Sequence, residues 1–189
     1  MGMNIGTGLH RQGLTLDPAL VARGLKDAQT GGKTLLTEDE ARAAFQQLQA
    51  DVQQKMGAKN RSEGEAFLAA NKSKEGVVTL PSGLQYKILT QANGPKPTAS
   101  DTVTVNYRGT LVNGTEFDSS YKRGQPASFP VGGVIKGWTE ALQLMPVGSK
   151  WQLFIPSDMA YGDAGRPGIP PGSTLIFEVE LLSIGEQKK

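Results

Sequence analysis

The sequence predicts an α+β protein: a C-terminal antiparallel half-barrel wrapped around a short helix, preceded by an all-helical N-terminal region. Three observations carry that expectation. Composition changes near Gly76, from Ala, Gln, Lys, Glu and Asp to Val, Thr, Tyr, Phe, Pro and Gly. Apolar residues recur at helical spacing before that point and alternate with period two after it. Only one segment of the second part, Gly137 to Leu144, reads as a helix, and Met145-Pro-Val-Gly148 closes it. These features divide the chain into 1–75, helical, and 76–189, mostly strands.

In the first part, Asp17-Pro18 reads as a helix N-cap followed by proline at the first helical position. Val21, Leu25 and Ala28 then share a face, and Gly31-Gly32 ends the segment. Thr37-Glu-Asp-Glu40 is a capping box opening a longer helix. Ala41, Ala44, Phe45, Leu48 and Val52 recur along one side of it, with Met56 close to the same stripe. Ser62-Glu-Gly-Glu65 either opens another helix or sits inside one that continues through Gly57 and Gly64. About 75 residues with so few large side chains make a poor monomeric core. Pairing the stripes with a second copy would bury them, which predicts a homodimer through residues 1–75; packing within the same chain is the alternative. Gly2 and Gly6, spaced as Gly-x-x-x-Gly, would let two helices approach closely.

In the second part, Leu84, Tyr86 and Ile88 alternate with polar neighbours, as do Val103, Val105 and Tyr107. So do Trp151, Leu153 and Ile155, and then Leu175, Phe177, Val179 and Leu181. Asn113-Gly114 is a tight-turn signal between strand-like runs. Four or five antiparallel strands are expected.

Several function classes find no support. The chain has 189 residues and no cysteine, which removes disulfides, zinc-thiolate sites and thiol catalysis. A net charge of +2 makes no case for nucleic acid. No run approaches the roughly 20 apolar residues of a membrane span. Gly31-Gly-Lys33-Thr34 imitates a phosphate loop, but the template needs glycine where Asp27 stands and no strand precedes it. His10 lies far from any Ser-Asp partner. Carboxylates show no metal-ligand spacing, and Lys188-Lys189 reads as solvated charge. The opening Met1-Gly-Met-Asn-Ile-Gly6 resembles the inside of a helix, so an export segment upstream is expected.

What remains is a constellation. Val103 to Tyr107, Phe117-Asp118 and Val134-Ile135-Lys-Gly-Trp138 set aromatic and β-branched residues beside one carboxylate. This suits a pocket that binds an apolar group and works without a nucleophile or a metal. Tyr107, Phe129 and Phe177 would also be core residues in any such barrel, and Asp118 could instead cap a turn.

From about Leu84 to Gly185 the chain resembles the FKBP family of peptidyl-prolyl cis-trans isomerases, in blocks that occur in the right order. They are Val105-Asn-Tyr107-Arg-Gly-Thr-Leu111, Gly114-Thr-Glu-Phe117-Asp118-Ser-Ser, Arg123-Gly-Gln-Pro126, Val134-Ile135-Lys-Gly-Trp138, Ala160-Tyr161-Gly162 and Pro170-Pro171-Gly-Ser-Thr-Leu-Ile-Phe177. Within that family it looks like the bacterial Mip (macrophage infectivity potentiator) and FkpA type, whose N-terminal dimerisation segment the region around Gln12-Gly13 and Asp17-Pro18 resembles. The resemblance implies an FKBP-like half-barrel and X–Pro isomerisation without cofactor or metal. It implies proline-containing unfolded or folding proteins as substrates, and macrolides of the rapamycin/FK506 class as inhibitors. It also implies a bacterial periplasm or outer-membrane surface.

Carried over residue by residue, Trp138 is the floor and Tyr107, Phe117, Val134, Ile135 and Phe177 are the walls. Tyr161 donates its hydroxyl to a substrate carbonyl, and the backbone N–H of Ile135 is a second donor. Asp118 acts electrostatically, held by Tyr107 and Arg123. Phe129 and Ile169 complete the support and the rim. The catalytic set is therefore Asp118, Tyr161 and Tyr107. Two departures from the family pattern bear on flanking-residue and macrolide preference: Ala127 where many members carry an aromatic, which predicts a more open wall, and Arg166 in a shortened loop. A second reading, of a different class, is a chaperone or adhesion module whose dimer cleft holds unfolded clients.

Overall fold

A computed structural model describes residues 17–31 and 34–185, together with Met3 and Thr7. The Gly2-x-x-x-Gly6 spacing, His10, Gln12-Gly13, Gly32-Lys33 and Lys188-Lys189 lie outside the described residues. The chain forms two compact units, Met1–Lys55 and Met56–Lys189.

In the first unit, helix α1 spans Pro18–Thr30. Asp17 caps it by accepting from the Ala19 N–H at 2.8 Å, and Gly31 closes it at φ 64°, a left-handed angle glycine adopts without a Cβ penalty. The capping box forms as expected. Thr37 N–H donates to Glu40 Oε2 at 2.8 Å and Glu40 N–H donates to Thr37 Oγ1 at 3.3 Å. It opens helix α2, a single uninterrupted helix over Glu38–Asn71. No described residue before Gly57 is buried, and Phe45 is 58% exposed.

The strands are β1 (Val77–Thr79), β2 (Gln85–Thr90), β3 (Thr102–Leu111), β4 (Glu116–Ser119), β5 (Ala127–Pro130), β6 (Lys150–Ile155) and β7 (Leu175–Ile184). They form one seven-stranded sheet in the order β1-β2-β6-β7-β3-β4, with β5 also paired to β3. That exceeds the four or five expected. The additional strands β1, β4 and β5 have three or four residues each, too few for alternation to register. All pairs are antiparallel, with bulges at Ile88/Thr90, Thr104/Val105 and Gly109/Thr110. Such interruptions bend strands and help a sheet curl over what it covers.

It covers helix α4, Lys136–Leu144, whose buried face is Gly137, Trp138, Ala141 and Leu142; a four-residue helix α3, Ser120–Arg123, precedes it after β4. Gly137 allows close contact, since a Cβ there would lie 2.5 Å from Ile155 Cγ2. The core joins Trp138, Ala141 and Leu142 to the inward residues of β3, β6 and β7, among them Val103, Val105, Leu153, Val179 and Leu181. Asn113-Gly114 makes the turn from β3 to β4, with Gly114 at φ 85° and Asn113 Oδ1 accepting from the Thr115 N–H at 2.9 Å. Composition shifts near Gly76, yet the second compact unit begins at Met56, because the last turns of α2 pack against the strand unit.

Candidate active site

The longest pairing, β3 with β7, sets Tyr107 opposite Val179 and Gly109 opposite Phe177. Gly109 also faces Asp118 of β4. A Cβ at Gly109 would lie 2.7 Å from ring atoms of both Phe117 and Phe177. The missing side chain is what lets those two rings meet over the strand, edge to face with centroids 5.4 Å apart.

Beneath them lies the indole of Trp138, on the first turn of α4 and only 4% exposed. Three rings meet it at steep angles: Tyr107 at 5.3 Å, Phe129 at 5.7 Å and Phe177 at 5.2 Å between centroids. Edge-to-face pairs of this kind add about 0.5–1.5 kcal/mol each beyond area burial. Among the described residues the Trp138 indole N–H has no hydrogen-bond partner, but Trp151, stacked on Tyr86 outside this cluster, shares that property. An orphaned indole N–H therefore does not mark the site.

The rings enclose a cavity of about 580 Å³. All ten residues singled out in the sequence line it. Tyr107 comes from β3, Phe117 and Asp118 from β4, Phe129 from β5, and Phe177 from β7. Val134 and Ile135 lead into α4, Trp138 belongs to it, and Tyr161 and Ile169 lie on the β6–β7 connection. The site residues expected from the sequence did not include Gly133, Ala160 and Pro167, which also line the cavity, although Ala160 stands in one of the matched blocks; Arg166, noted there as a departure, lines it too. Small or cyclic loop residues carry no chemistry that would announce them. Ala127 puts no side chain into the lining; Phe129, two residues on, represents β5 there.

Asp118 is the one carboxylate in the lining. Tyr107 donates its hydroxyl to Asp118 Oδ2 at 2.6 Å. Arg123 donates through Nη1 to the other carboxylate oxygen and through Nη2, at 2.7 Å, to the Tyr107 hydroxyl oxygen. The three groups form a closed ring of charge-assisted bonds. Asp118 does not cap the following turn: the N-cap of α3 is Ser119, which accepts from the Lys122 N–H.

Burial pushes the Asp118 carboxyl up, but the Tyr107 hydroxyl and the Arg123 guanidinium together outweigh it and hold the group below its ordinary value. Burial first, then the bond to Asp118, push the Tyr107 phenol up. A depressed carboxyl loses its charge only as pH falls through the folded-state value. Activity that depends on this charge should therefore stay level from neutral pH down into the carboxylate range. It should fall only below about 3.9, the ordinary aspartate value; a kcat/KM profile checks this, and a decline near neutral pH would contradict it.

Two of the lining residues, Tyr161 and Ile135, carry donors with no acceptor among the described residues. The Tyr161 hydroxyl oxygen accepts from Arg166 Nη1 at 2.8 Å, and the guanidinium lies 5.0 Å from the centroid of the ring. That leaves the phenol O–H free to donate, polarised by the neighbouring cation. Ile135 is the N-cap of α4. Among the described residues no backbone carbonyl accepts from its N–H.

The pocket is thus an aromatic hollow lined by one ionised carboxylate and by two residues whose donors have no acceptor among the described residues, on a half-barrel around a single helix. Comparison with known proteins agrees along the whole chain. The family model for the FKBP-type peptidyl-prolyl cis-trans isomerase matches residues 94–182. That for the domain amino terminal to it matches residues 1–88. The chain belongs to the FKBP-type peptidyl-prolyl cis-trans isomerase family. Within the family it is similar to the peptidyl-prolyl cis-trans isomerase Mip of Coxiella burnetii, with 48% identity over 97% of this chain and 84% of that protein. It is 47% identical to the outer membrane protein MIP of Legionella longbeachae, over 97% of this chain and 82% of that one. The crystal structure of FkpA from Escherichia coli superposes with a TM-score of 0.80 at 40% identity, covering 99% of this chain and 92% of that one. No helix among the described residues is long and apolar enough to cross a membrane.

Proposed function

We propose that this FKBP-family chain accelerates rotation about X–Pro bonds in protein substrates by favouring the twisted amide in its aromatic cavity. The barrier to rotation is about 18–20 kcal/mol, because amide resonance must be broken. The trans and cis ends differ by only about 0.5–1 kcal/mol, so speed is needed and driving force is not. A catalyst must therefore bind the half-rotated amide better than either planar form. In that form the carbonyl and nitrogen no longer share charge, so an apolar cavity suits it better than it suits the planar amide.

The observation that carries this reading is that Asp118 and Tyr161 line one aromatic cavity together with Trp138. The proline ring sits over the Trp138 indole, between Tyr107, Phe117, Val134, Ile135 and Phe177, with Phe129 in support and Ile169 at the rim. Tyr161 and the Ile135 N–H donate to substrate carbonyls. Asp118 acts through its field on the rotating carbonyl and transfers no proton; a carboxylate held ionised by Tyr107 and Arg123 is suited to that. Purified protein should shorten the proline-limited phase of a refolding reaction, and Tyr161→Phe, which removes one hydrogen-bond donor, should weaken the effect several-fold. Refolding unaffected by the wild-type protein would rule the reading out.

Macrolides of the rapamycin/FK506 class are the expected inhibitors. Residues 1–75 form the dimerisation region and 76–189 the isomerase domain. The exposed Leu20, Leu25, Leu35, Leu36 and Phe45 favour this, because apolar side chains left in water on thin helices are stabilised by pairing. Light scattering should give twice the chain mass for the intact protein and a monomer for a chain starting near Gly76. The same dimer would hold unfolded clients, and a bacterial periplasm or outer-membrane surface is the proposed location.

A further inference from the structure

The second half of α2 is bound to the connection that carries Tyr161, largely through polar groups. Its three buried positions, Gly57, Gly64 and Asn71, recur every seven residues along one side. A Cβ at Gly64 would lie 2.2 Å from Thr174 Oγ1, and one at Gly57 would lie 3.3 Å from Pro171 Cβ. These glycines bring the helix backbone against the stretch that leads into β7. Asn60 Nδ2 then donates to the Pro171 carbonyl at 2.8 Å.

Arg61 reaches the other arm of the connection. Its Nη1 donates to Asp158 Oδ1 at 2.7 Å and its Nη2 to Asp163 Oδ1 at 2.5 Å. The two carboxylates bracket Tyr161 in sequence, three residues before and two after. Within the connection, the Gly172 N–H donates to the Gly162 carbonyl at 2.9 Å and the Gly162 N–H to the Ser157 carbonyl at 2.9 Å. One guanidinium thus joins both ends of the segment whose middle presents the Tyr161 hydroxyl.

We infer that Arg61 is a positioning residue for isomerisation, holding the Asp158–Asp163 segment so that Tyr161 meets the substrate carbonyl in register. The inference rests on the isomerase reading of the cavity. Both carboxylates are largely in water, so each pair adds little to global stability. Its geometric effect is larger: a two-armed guanidinium fixes direction as well as distance, and small displacements of a reacting group lower rates steeply. Loss of Arg61 therefore shows in turnover more than in melting temperature.

The test compares wild type, Arg61→Ala, Arg61→Lys, Tyr161→Phe and the Arg61→Ala/Tyr161→Phe double variant on a short Leu-Pro peptide. It also follows amide exchange at Gly162 and Gly172 in the full chain. Arg61→Ala is expected to lower kcat/KM several-fold, by no more than Tyr161→Phe alone and chiefly through kcat, with melting nearly unchanged and exchange at both glycines faster. Tyr161→Phe should then add little, because the hydroxyl it removes is already misplaced, and Arg61→Lys should restore part of the loss. Unchanged kcat/KM or unchanged exchange in Arg61→Ala would overturn the inference. So would losses that simply multiply in the double variant. An inactive wild type sinks the isomerase reading and this inference with it; an active wild type with an indifferent Arg61→Ala sinks only the present one.

Discussion

Asp118→Ala is expected to lower kcat/KM for an X–Pro peptide by about ten- to a hundredfold, the range seen when one preorganised electrostatic group is removed from an active site, reduced for partial exposure. The Asp118 side chain is 42% exposed, so the field it exerts is shared with water. Removing it leaves Arg123 and the Tyr107 hydroxyl facing each other without their common acceptor. An uncompensated guanidinium is then left on Tyr107 where a neutral pair stood. Asp118→Asn separates the two possible contributions. It keeps the shape and one acceptor oxygen but loses the charge, so an electrostatic role predicts a loss close to that of Asp118→Ala. Full activity in Asp118→Asn would show that the carboxylate merely orients Tyr107. Melting temperature should move little in either variant, since a half-exposed ion pair adds about 0–1 kcal/mol.

The second large effect is expected at a residue with no side chain. Gly109→Ala places a methyl group 2.7 Å from ring atoms of Phe117 and Phe177, closer than real Cβ contacts come. Neither ring can retreat freely: Phe177 is 5% exposed and packed on Trp138, and Phe117 leans on Phe177. The rings must tilt into the cavity or β4 must lift from β3. Overpacking of this sort costs about 1–3 kcal/mol, a fall of several degrees in melting temperature for a unit of this size. Activity should drop further than stability, because the displaced rings occupy the space meant for proline. Activity and melting both equal to wild type would show that Gly109 does not set the wall.

Much of this could be read from local sequence. Asp17-Pro18, the Thr37–Glu40 box and Asn113-Gly114 are short-range devices whose hydrogen bonds close within four residues, and each forms where expected. The alternation of Leu175, Phe177, Val179 and Leu181 marks the buried face of β7. Of the ten cavity residues expected from the sequence, eight stand in the ordered blocks that resemble the FKBP family, and Phe129 and Ile169 were carried over with them; spacing alone does not bring Tyr107 to Asp118. Glycines left one question open. Gly57 and Gly64 look like weak points of a helix, and the sequence left open whether it breaks. In the fold both are buried against Pro171 and Thr174, and α2 runs on without interruption.

By itself, then, the sequence determined the α+β class, the caps and turns, and which aromatic and acidic side chains were available for a proline pocket. Those properties depend on neighbours along the chain, and neighbours along the chain are what a sequence records. The resemblance already implied that Tyr107 and Arg123 hold Asp118; only the tertiary structure decided that Arg123 also donates to the Tyr107 hydroxyl and so closes a ring, and that Gly109 makes room for two phenylalanine rings. It alone joined Arg61 to carboxylates about 100 positions away. Each of these needs a distance between strands or between a helix and a loop, and such distances exist only once the sheet has closed over α4.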